Sequence, residues 1–254
     1  MMLLGDSGFM EFLRSTVGDV SILFEDADLI VLVKPAGLPT ANAPRGAESL
    51  HALLKTRLGQ AAFVGVVSRL DAPVSGIVVL AKSPAAAGEL AGQFRDRSVE
   101  KAYSAVVAGR FPAPLGSWID WRDAISRREG ELKSQLHAAA AAREGGDEVP
   151  KAAHVRARVV ARAGEVSLVE LEPSTGRRHQ LRLQLASRGC PIVGDRLYGS
   201  RLPFRAGGIA LHAERLAFHH PGTGDRLAFS VSCRERWKES FPSLFAAADP
   251  SRRG

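Results

Sequence analysis

The chain has 254 residues, of which 45% are hydrophobic and 24% charged, a composition that excludes disordered, collagen-like and disulfide-dense chains. Its apolar runs are far shorter than the roughly 20 residues of a membrane span, and its first residues lack the basic segment of a signal peptide. The two cysteines, Cys190 and Cys233, stand apart in the sequence. We therefore expect no disulfide framework, no cysteine metal site and a cytoplasmic location.

The positive charge is concentrated in one part of the chain. The net charge is +7, yet residues 1–50 hold three basic and seven acidic residues, whereas residues 151–190 hold eight basic and three acidic ones. A basic stripe of this kind favours a polyanion such as nucleic acid as the partner. A general arginine bias of the source proteome is the alternative reading.

The first half of the chain alternates apolar runs with turn residues. Residues 1–20 show only a weak secondary-structure pattern and are predicted to form a short extension. The patterns predict strands at 20–24, 29–33, 63–67, 77–81 and 99–107, and helices at 49–58 and 84–97. The second helix is expected to bury Ala87, Leu90, Ala91 and Phe94 on one face.

The second half begins with the least regular segment, 111–150, which ends in an exposed loop at 143–148. Strands are predicted at 154–161, 166–171, 209–211 and 227–231. A helix capped by Ser174 or Thr175 is expected to bury Leu181 and Leu185 and to stop at Gly189. Strands outnumber helices and alternate irregularly with them, so an α+β fold is predicted.

Asp71 is the first candidate for chemistry, because it lies in a loop between two predicted buried strands. A carboxylate held at a rigid strand end is well placed to act as nucleophile or base. On position alone, a turn aspartate that accepts backbone hydrogen bonds is the competing reading. A hydrolase triad of Ser68, His179 and Asp71 lacks the Gly-x-Ser-x-Gly turn that would support it.

Two further segments carry candidate side chains. Residues 175–182, Thr-Gly-Arg-Arg-His-Gln-Leu-Arg, are predicted to open the helix, with Arg178 and Arg182 on one face near a glycine-led N-terminus. This arrangement is either an anion site or a solvated basic face. Tyr103 is either a platform on which a base stacks or an ordinary half-buried strand aromatic.

Together these segments resemble the RluA-type family of RNA pseudouridine synthases, in order along the chain from about Ile22 to about Trp237. The pieces that carry the resemblance are 25–37, 68–76 with the following strand, Lys101-Ala-Tyr103, 175–182 and Pro191-Ile-Val-Gly-Asp-Arg-Leu-Tyr-Gly199, followed by Leu211-His-Ala213 and 220–224.

The resemblance implies a mixed, largely antiparallel sheet with flanking helices and a central catalytic cleft. It implies isomerisation of uridine in ribosomal or transfer RNA to pseudouridine, with no cofactor and no metal. Asp71 matches the essential aspartate, Tyr103 the tyrosine that stacks on the flipped base, and Arg182 the basic residue that pairs with the aspartate. The remaining positions expected to contact RNA are Arg69, Thr175, Gly176, Arg177, Arg178, His179, Gln180 and Leu211.

The chain departs from the family pattern at two positions. Ser68 stands where the family usually has His in His-Arg-Leu-Asp, and Gln184 stands where a second His is common. No segment matches the S4-type RNA-binding domain of some relatives. RNA selection is then expected from the catalytic domain, with Arg122, Arg127, Arg128 and Lys133 as candidates.

The sequence leaves two functional hypotheses. The first is an active isomerase, favoured because Asp71, Tyr103 and Arg182 are all present. The second is an RNA-binding or RNA-folding protein on the same scaffold with lost or secondary catalysis, since fold alone does not establish activity. We expect a monomer with a short extension at 1–20, a catalytic domain at 21–240 and a tail at 241–254.

Overall fold

The computed structural model describes residues 3–4, 10–11, 15–17, 20–44, 46–146 and 148–248. The strands are β1 (Leu3–Leu4), β2 (Met10–Glu11), β3 (Ser15–Val17), β4 (Val20–Glu25), β5 (Leu29–Lys34), β6 (Ser75–Ala81), β7 (Glu100–Ala108), β8 (Trp118–Ser126), β9 (Gln135–Ala138), β10 (Lys151–Ala163), β11 (Val166–Pro173), β12 (Leu211–His219) and β13 (Arg226–Ser230). The helices are α1 (Leu50–Leu58), α2 (Pro84–Arg95), α3 (Gln180–Ala186), α4 (Arg234–Trp237) and α5 (Pro242–Ala247), with 3-10 turns at Ala139–Ala141 and Arg196–Tyr198.

The described residues fall into two compact units. The first unit draws on the chain up to Lys101 and on His212–Ser232, and the second on Ala102–Leu211 and the residues from Cys233 onward. Among the helices of the described ranges, none has the length and apolarity that crossing a bilayer requires.

The first unit is built on strands in the order β3-β4-β5-β6-β12-β13. All neighbours are antiparallel except β6 and β12, which run parallel where Ser75 and Gly76 face His212 and Ala213. Every residue of β5 and β6 is buried. Strands buried on both faces read as continuous apolar runs, which is why the sequence predicted these two correctly.

Helices cover both faces of this sheet. Alternate residues of a strand point to opposite faces, so Val31 packs in one cluster with Leu90 of α2, and Leu32 packs in the other with Leu54 of α1. Both helices begin within one residue of the predicted start. Ser49 and Ser83 each accept a hydrogen bond from the backbone N–H three residues later.

The second unit is built on antiparallel strands in the order β7-β11-β10-β8-β9. Every second residue of β10 from Ala153 to Ala161 is buried, the pattern of a strand with one covered face. Helix α5 contacts β10 and β11, and its Leu244 and Phe245 are buried. The segment expected to be a tail therefore contains a packed helix. The domain boundaries themselves stay a prediction.

The prediction of an α+β fold with a mixed, largely antiparallel sheet is confirmed, but several elements differ from expectation. Residues 63–67 form no strand, since only Gly65 bridges to Ala81. The segment 111–150 is more regular than predicted, because it contains β8 and β9. In α2, Ala91 is exposed and Gln93 is buried in its place.

Candidate active site

Asp71 lies in a loop of the first unit that two neighbouring segments hold in place. The N–H of Gly37 donates to the carbonyl of Ala72 over 2.7 Å, and the N–H of Val74 donates to the carbonyl of Asp71 over 3.0 Å. Thr40 both donates to the carbonyl of Leu70 and accepts from its N–H. The backbone around Asp71 is therefore fixed, as a catalytic carboxylate requires.

Lys34 is the residue at this loop that sequence patterns did not single out. Its side chain is fully buried, and its Nζ donates to the carbonyls of Pro35 (2.8 Å), Leu38 (2.7 Å) and Ala72 (3.2 Å). Burial lowers the pKa of Lys34 to about 7, and the charge of Asp71 opposes that shift. A charged residue that ends an apolar strand and precedes a proline was the available signal.

Three further positions singled out in the sequence differ in exposure. Arg69 is exposed, and Ser68 Oγ lies 3.4 Å from the carbonyl of Val79. Leu211 is buried at the start of β12. Of these positions, Arg69 is the most exposed, Ser68 is partly exposed and Leu211 is buried.

Tyr103 lies near the start of β7 in the second unit, where it faces Leu171 of β11 and is partly buried. The residue is partly exposed, which is compatible with both interpretations of Tyr103. The stacking role stays a prediction.

Only the last three residues of the segment 175–182 belong to the helix. Helix α3 begins at Gln180, and His179 is the N-cap in the left-handed region at φ 54°. The predicted cap at Ser174 or Thr175 is therefore wrong, and so is the shared face, because Arg178 is exposed and Arg182 is buried. Thr175 does not cap the helix, because its hydroxyl forms hydrogen bonds with His154 and Gln180.

Three residues of this segment tie the loop to β10. Thr175 Oγ1 accepts from the N–H of His154 and donates to Gln180 Oε1 over 2.8 Å. Gln180 Nε2 donates to the carbonyl of His154, and Arg177 Nε donates to the carbonyl of Ala152 over 2.9 Å. These side chains shape the loop, whereas Gly176 and Arg178 are exposed.

Arg182 is held by a carboxylate of its own unit. Its Nε and Nη2 donate to the two oxygens of Asp195 over 2.7 and 2.9 Å, and both side chains are buried. The guanidinium also lies 5.1 Å from the centre of the Tyr198 ring. Such a two-point pair fixes the orientation of the arginine. The predicted pairing with Asp71 stays a prediction.

Tyr198 connects this pair to two further segments. Its hydroxyl accepts from the N–H of Ser134 over 3.0 Å and lies 2.9 Å from Nδ1 of His179. Burial raises the pKa of Tyr198, so the phenol is protonated near neutrality. Asp195 and Tyr198 belong to a segment that carries part of the family resemblance, but their role as partners of Arg182 was missed.

Gln184, at the second departure from the family pattern, belongs to a separate buried network. Its Nε2 donates to Asp123 Oδ2 over 2.6 Å, and Asp123 also accepts from Arg188 over 3.0 Å. Arg188 in turn lies over the ring of Trp121 at 4.2 Å. This network joins α3 to β8 and supports the helix that carries Arg182.

The structure thus groups the predicted residues within each unit. Asp71 and Arg69 share one loop of the first unit, and Arg182 and His179 share the contacts of Tyr198 in the second. The described residues include no cluster of three or more His, Cys, Asp or Glu side chains that could hold a metal ion.

Solved structures similar to this one include two human RNA pseudouridylate synthase domain proteins. The human RNA Pseudouridylate Synthase Domain Containing 4 superposes with a TM-score of 0.68 at 25% identity, over 88% of this chain and 92% of that one. The human RNA Pseudouridylate Synthase Domain Containing 1 gives 0.64 at 25% identity, over 94% and 100%. The class defined by the fold is that of pseudouridine synthases.

The sequence comparisons identify the family. The family model described as RNA pseudouridylate synthase matches residues 28–187, a range that includes Asp71, Tyr103 and Arg182. The chain is 33% identical over 221 residues to the Dual-specificity RNA pseudouridine synthase RluA of Haemophilus influenzae, covering 84% of this chain and 92% of that protein. It is 31% identical to the Ribosomal large subunit pseudouridine synthase D of Zymomonas mobilis, covering 89% and 73%.

The chain belongs to the RNA pseudouridylate synthase family and is an isomerase of that class. The resemblance inferred from the sequence is confirmed.

Proposed function

We propose that this protein converts uridines of ribosomal or transfer RNA to pseudouridine, with Asp71 as its essential carboxylate. The observation that carries the proposal is the fixed loop that presents Asp71 within the part of the chain matched by the family. The word "ribosomal" in the name of the Zymomonas relative supports ribosomal RNA as one substrate.

The reaction breaks the N1–C1′ bond, turns the uracil and forms a C5–C1′ bond, while the C5 proton leaves to solvent. Asp71 either attacks the sugar or removes the C2′ proton, and the two roles stay open. A target base must first leave its stack, at a cost of a few kcal/mol. Contacts between arginines and phosphates offset that cost.

Tyr103 and Arg182 have supporting roles in this proposal. The ring of Tyr103 stacks on the extruded base and acts in the deprotonation of C5. Arg182, fixed by Asp195, pairs with the carboxylate of Asp71 during the reaction. RNA is the proposed partner, and the monomeric state and cytoplasmic location remain expectations.

Tritium release from RNA labelled at uridine C5 tests the proposal. Bulk RNA from cells that lack this gene is incubated with wild type, with Asp71→Asn, and with Asp96→Asn. Asp96 is exposed at the end of α2, so its variant controls for loss of one carboxylate. We expect release by wild type and by Asp96→Asn and none by Asp71→Asn. Separated ribosomal and transfer RNA fractions then identify the substrate.

Two outcomes would contradict the proposal. Equal release by Asp71→Asn would remove the carboxylate from the mechanism. No release by wild type from any fraction, with RNA binding intact, would favour the RNA-binding protein without catalysis and would make Ser68 and Gln184 the first residues to restore to His.

A further inference from the structure

The second unit contains an open cavity of about 760 Å³ that none of the predicted catalytic or RNA-contacting residues lines. Three arginines, Arg110, Arg162 and Arg201, contribute to its wall, against the single carboxylate of Glu165. Its volume is in the range of ligand sites in proteins, roughly 300–1,000 Å³. The excess of guanidinium groups favours an anionic ligand.

The arginines differ in how they are held. Arg110 and Arg201 are exposed, and neither forms an ion pair or hydrogen bond with the described part of the chain. Arg162 is anchored, because its Nη2 donates to the carbonyls of Phe111 and Ala113. Its positive charge is fixed in the wall and, among the described residues, meets no carboxylate there within ion-pair distance. Two exposed cations and one anchored cation therefore line the same cavity.

The shape of the cavity comes from glycines. Gly109, Gly164, Gly189 and Gly199 all line it and all have positive φ. A Cβ on Gly109 would lie 2.8 Å from the carbonyl oxygen of Gly189. The backbone therefore approaches closely without side chains, and this keeps the space open between the arginines.

The position of the cavity separates it from the predicted base platform. Ala108, at the end of β7, lines it, and Tyr103 lies five residues earlier on the same strand. At about 3.4 Å per residue, that is about 17 Å along the strand. A phosphate bound here belongs to a nucleotide outside the immediate neighbourhood of a base stacked on Tyr103.

We propose that this cavity is a phosphate-binding site, formed by Arg110, Arg162 and Arg201, that engages the backbone of RNA at a distance from the modified uridine or a free nucleotide. The RNA source rests on the proposed function, whereas phosphate binding does not. Glu165 limits the affinity, because its charge repels the anion.

The test compares Arg110→Ala/Arg201→Ala with Arg95→Ala/Arg236→Ala, a control that removes two exposed arginines elsewhere. Binding of a fluorescein-labelled RNA hairpin is measured between about 50 and 200 mM KCl, and binding of adenosine monophosphate and of adenosine is measured by calorimetry. Unfolding in urea verifies that both variants fold. We expect the cavity variant to lose about tenfold in RNA affinity at low salt. Its salt slope should be shallower by about 1 to 2 than that of the control.

A variant of opposite sign sharpens the test. Glu165→Gln removes the carboxylate and should tighten RNA or nucleotide binding about two- to threefold. A second outcome would identify a free nucleotide as the ligand. In that case the cavity variant binds RNA as the control does but loses binding of adenosine monophosphate, and wild type does not bind adenosine.

Equal behaviour of the cavity and control variants with both probes would overturn the proposal. Tritium release by wild type, measured in parallel, separates the two proposals. If wild type releases tritium but the cavity variant binds both probes as the control does, the cavity proposal is rejected and the proposed function is kept. If wild type releases no tritium but the cavity variant loses phosphate binding, the cavity proposal is kept and the proposed function is rejected.

Discussion

Lys34 shows how the loop of Asp71 is stabilised at the level of single atoms. An ammonium group removed from water costs several kcal/mol unless hydrogen bonds and an opposite charge compensate it. Lys34 has both, because three carbonyls accept from its Nζ and Asp71 attracts it. The lysine in turn joins residues 35–38 to the loop that carries Asp71.

The pKa of Lys34 predicts a pH dependence of stability. Burial places the folded pKa at about 7, below the usual value of 10.5. Between these values the unfolded chain binds more protons than the folded one, so the free energy of unfolding rises with pH, by about 2 kcal/mol between pH 7 and 9 from this group. Urea unfolding of wild type and Lys34→Met at both pH values measures the difference. Burial also lowers the pKa of Lys101, but that contribution is common to both proteins. A rise of the same size in Lys34→Met would contradict the prediction.

The pair of Arg182 and Asp195 predicts a large loss of stability from a small change. In Asp195→Asn the buried guanidinium loses its carboxylate, and removing one member of a buried pair costs about 3–5 kcal/mol. The matched control is Glu100→Gln, which breaks the exposed pair with Arg226 and should cost less than about 1 kcal/mol. Urea unfolding of the two variants measures both costs. Similar values for the two would mean that Asp195 does not anchor Arg182.

At the scale of elements, the parallel pairing of β6 and β12 depends on a glycine. Gly76 has φ 123°, and a Cβ there would lie 2.7 Å from Cα of Ala213. Gly76→Ala should therefore lower the free energy of unfolding by about 3 kcal/mol, because both the backbone conformation and the packing resist a side chain.

Gly88 provides the matched control for that substitution. It lies inside α2, and a methyl group on its Cα would have no other atom within 4 Å. Gly88→Ala should therefore raise stability by about 0.5–1 kcal/mol through helix propensity. Thermal unfolding of both variants gives the signs. A neutral Gly76→Ala would show that the two strands can separate at this point without cost.

Sequence patterns correctly predicted the strands and helices whose formation is determined by residues close together in the chain. Strand β5 is apolar up to its last residue, Lys34, and β6 is apolar from Ile77 onward, while α1 and α2 carry apolar residues at helical spacing. Strand β8 escaped prediction because Asp120, Arg122 and Asp123 interrupt its apolar residues. Asp123 is buried there because Gln184 and Arg188 bind it, and those partners lie about sixty residues away.

The same limit applies to the candidate site. Asp71, Tyr103 and Arg182 were selected because family motifs mark them, and their catalytic roles stay predictions. The contacts around Arg182 were missed because they form only through tertiary packing. This packing brings Asp195 to Arg182 and Ser134 to Tyr198. The start of α3 was misplaced because Thr175, a good capping residue, binds Gln180 and His154 instead.

At the scale of the whole molecule, the affinity for RNA depends either on the total charge of the protein or on where that charge lies. The net charge of +7 attracts RNA from any direction. The connection between β8 and β9, residues 127–134, offers a local alternative, because Arg128 and Lys133 are exposed and Leu132 between them is 73% exposed.

Removal of four basic residues at or near this connection distinguishes the two cases. The test variant replaces four residues with Ala and so lowers the net charge from +7 to +3, and the control lowers it equally at exposed arginines elsewhere. The test set is Arg122, Arg127, Arg128 and Lys133, and the control set is Arg95, Arg205, Arg226 and Arg236. If local phosphate contacts matter, the test variant alone should show RNA affinity reduced by at least tenfold and a salt slope shallower by about one unit per lost contact. Fluorescence anisotropy with an RNA hairpin across KCl concentrations measures both quantities. Equal weakening of the two variants would assign the effect to total charge, and unchanged affinity of the test variant at low salt would exclude this connection from the RNA interface.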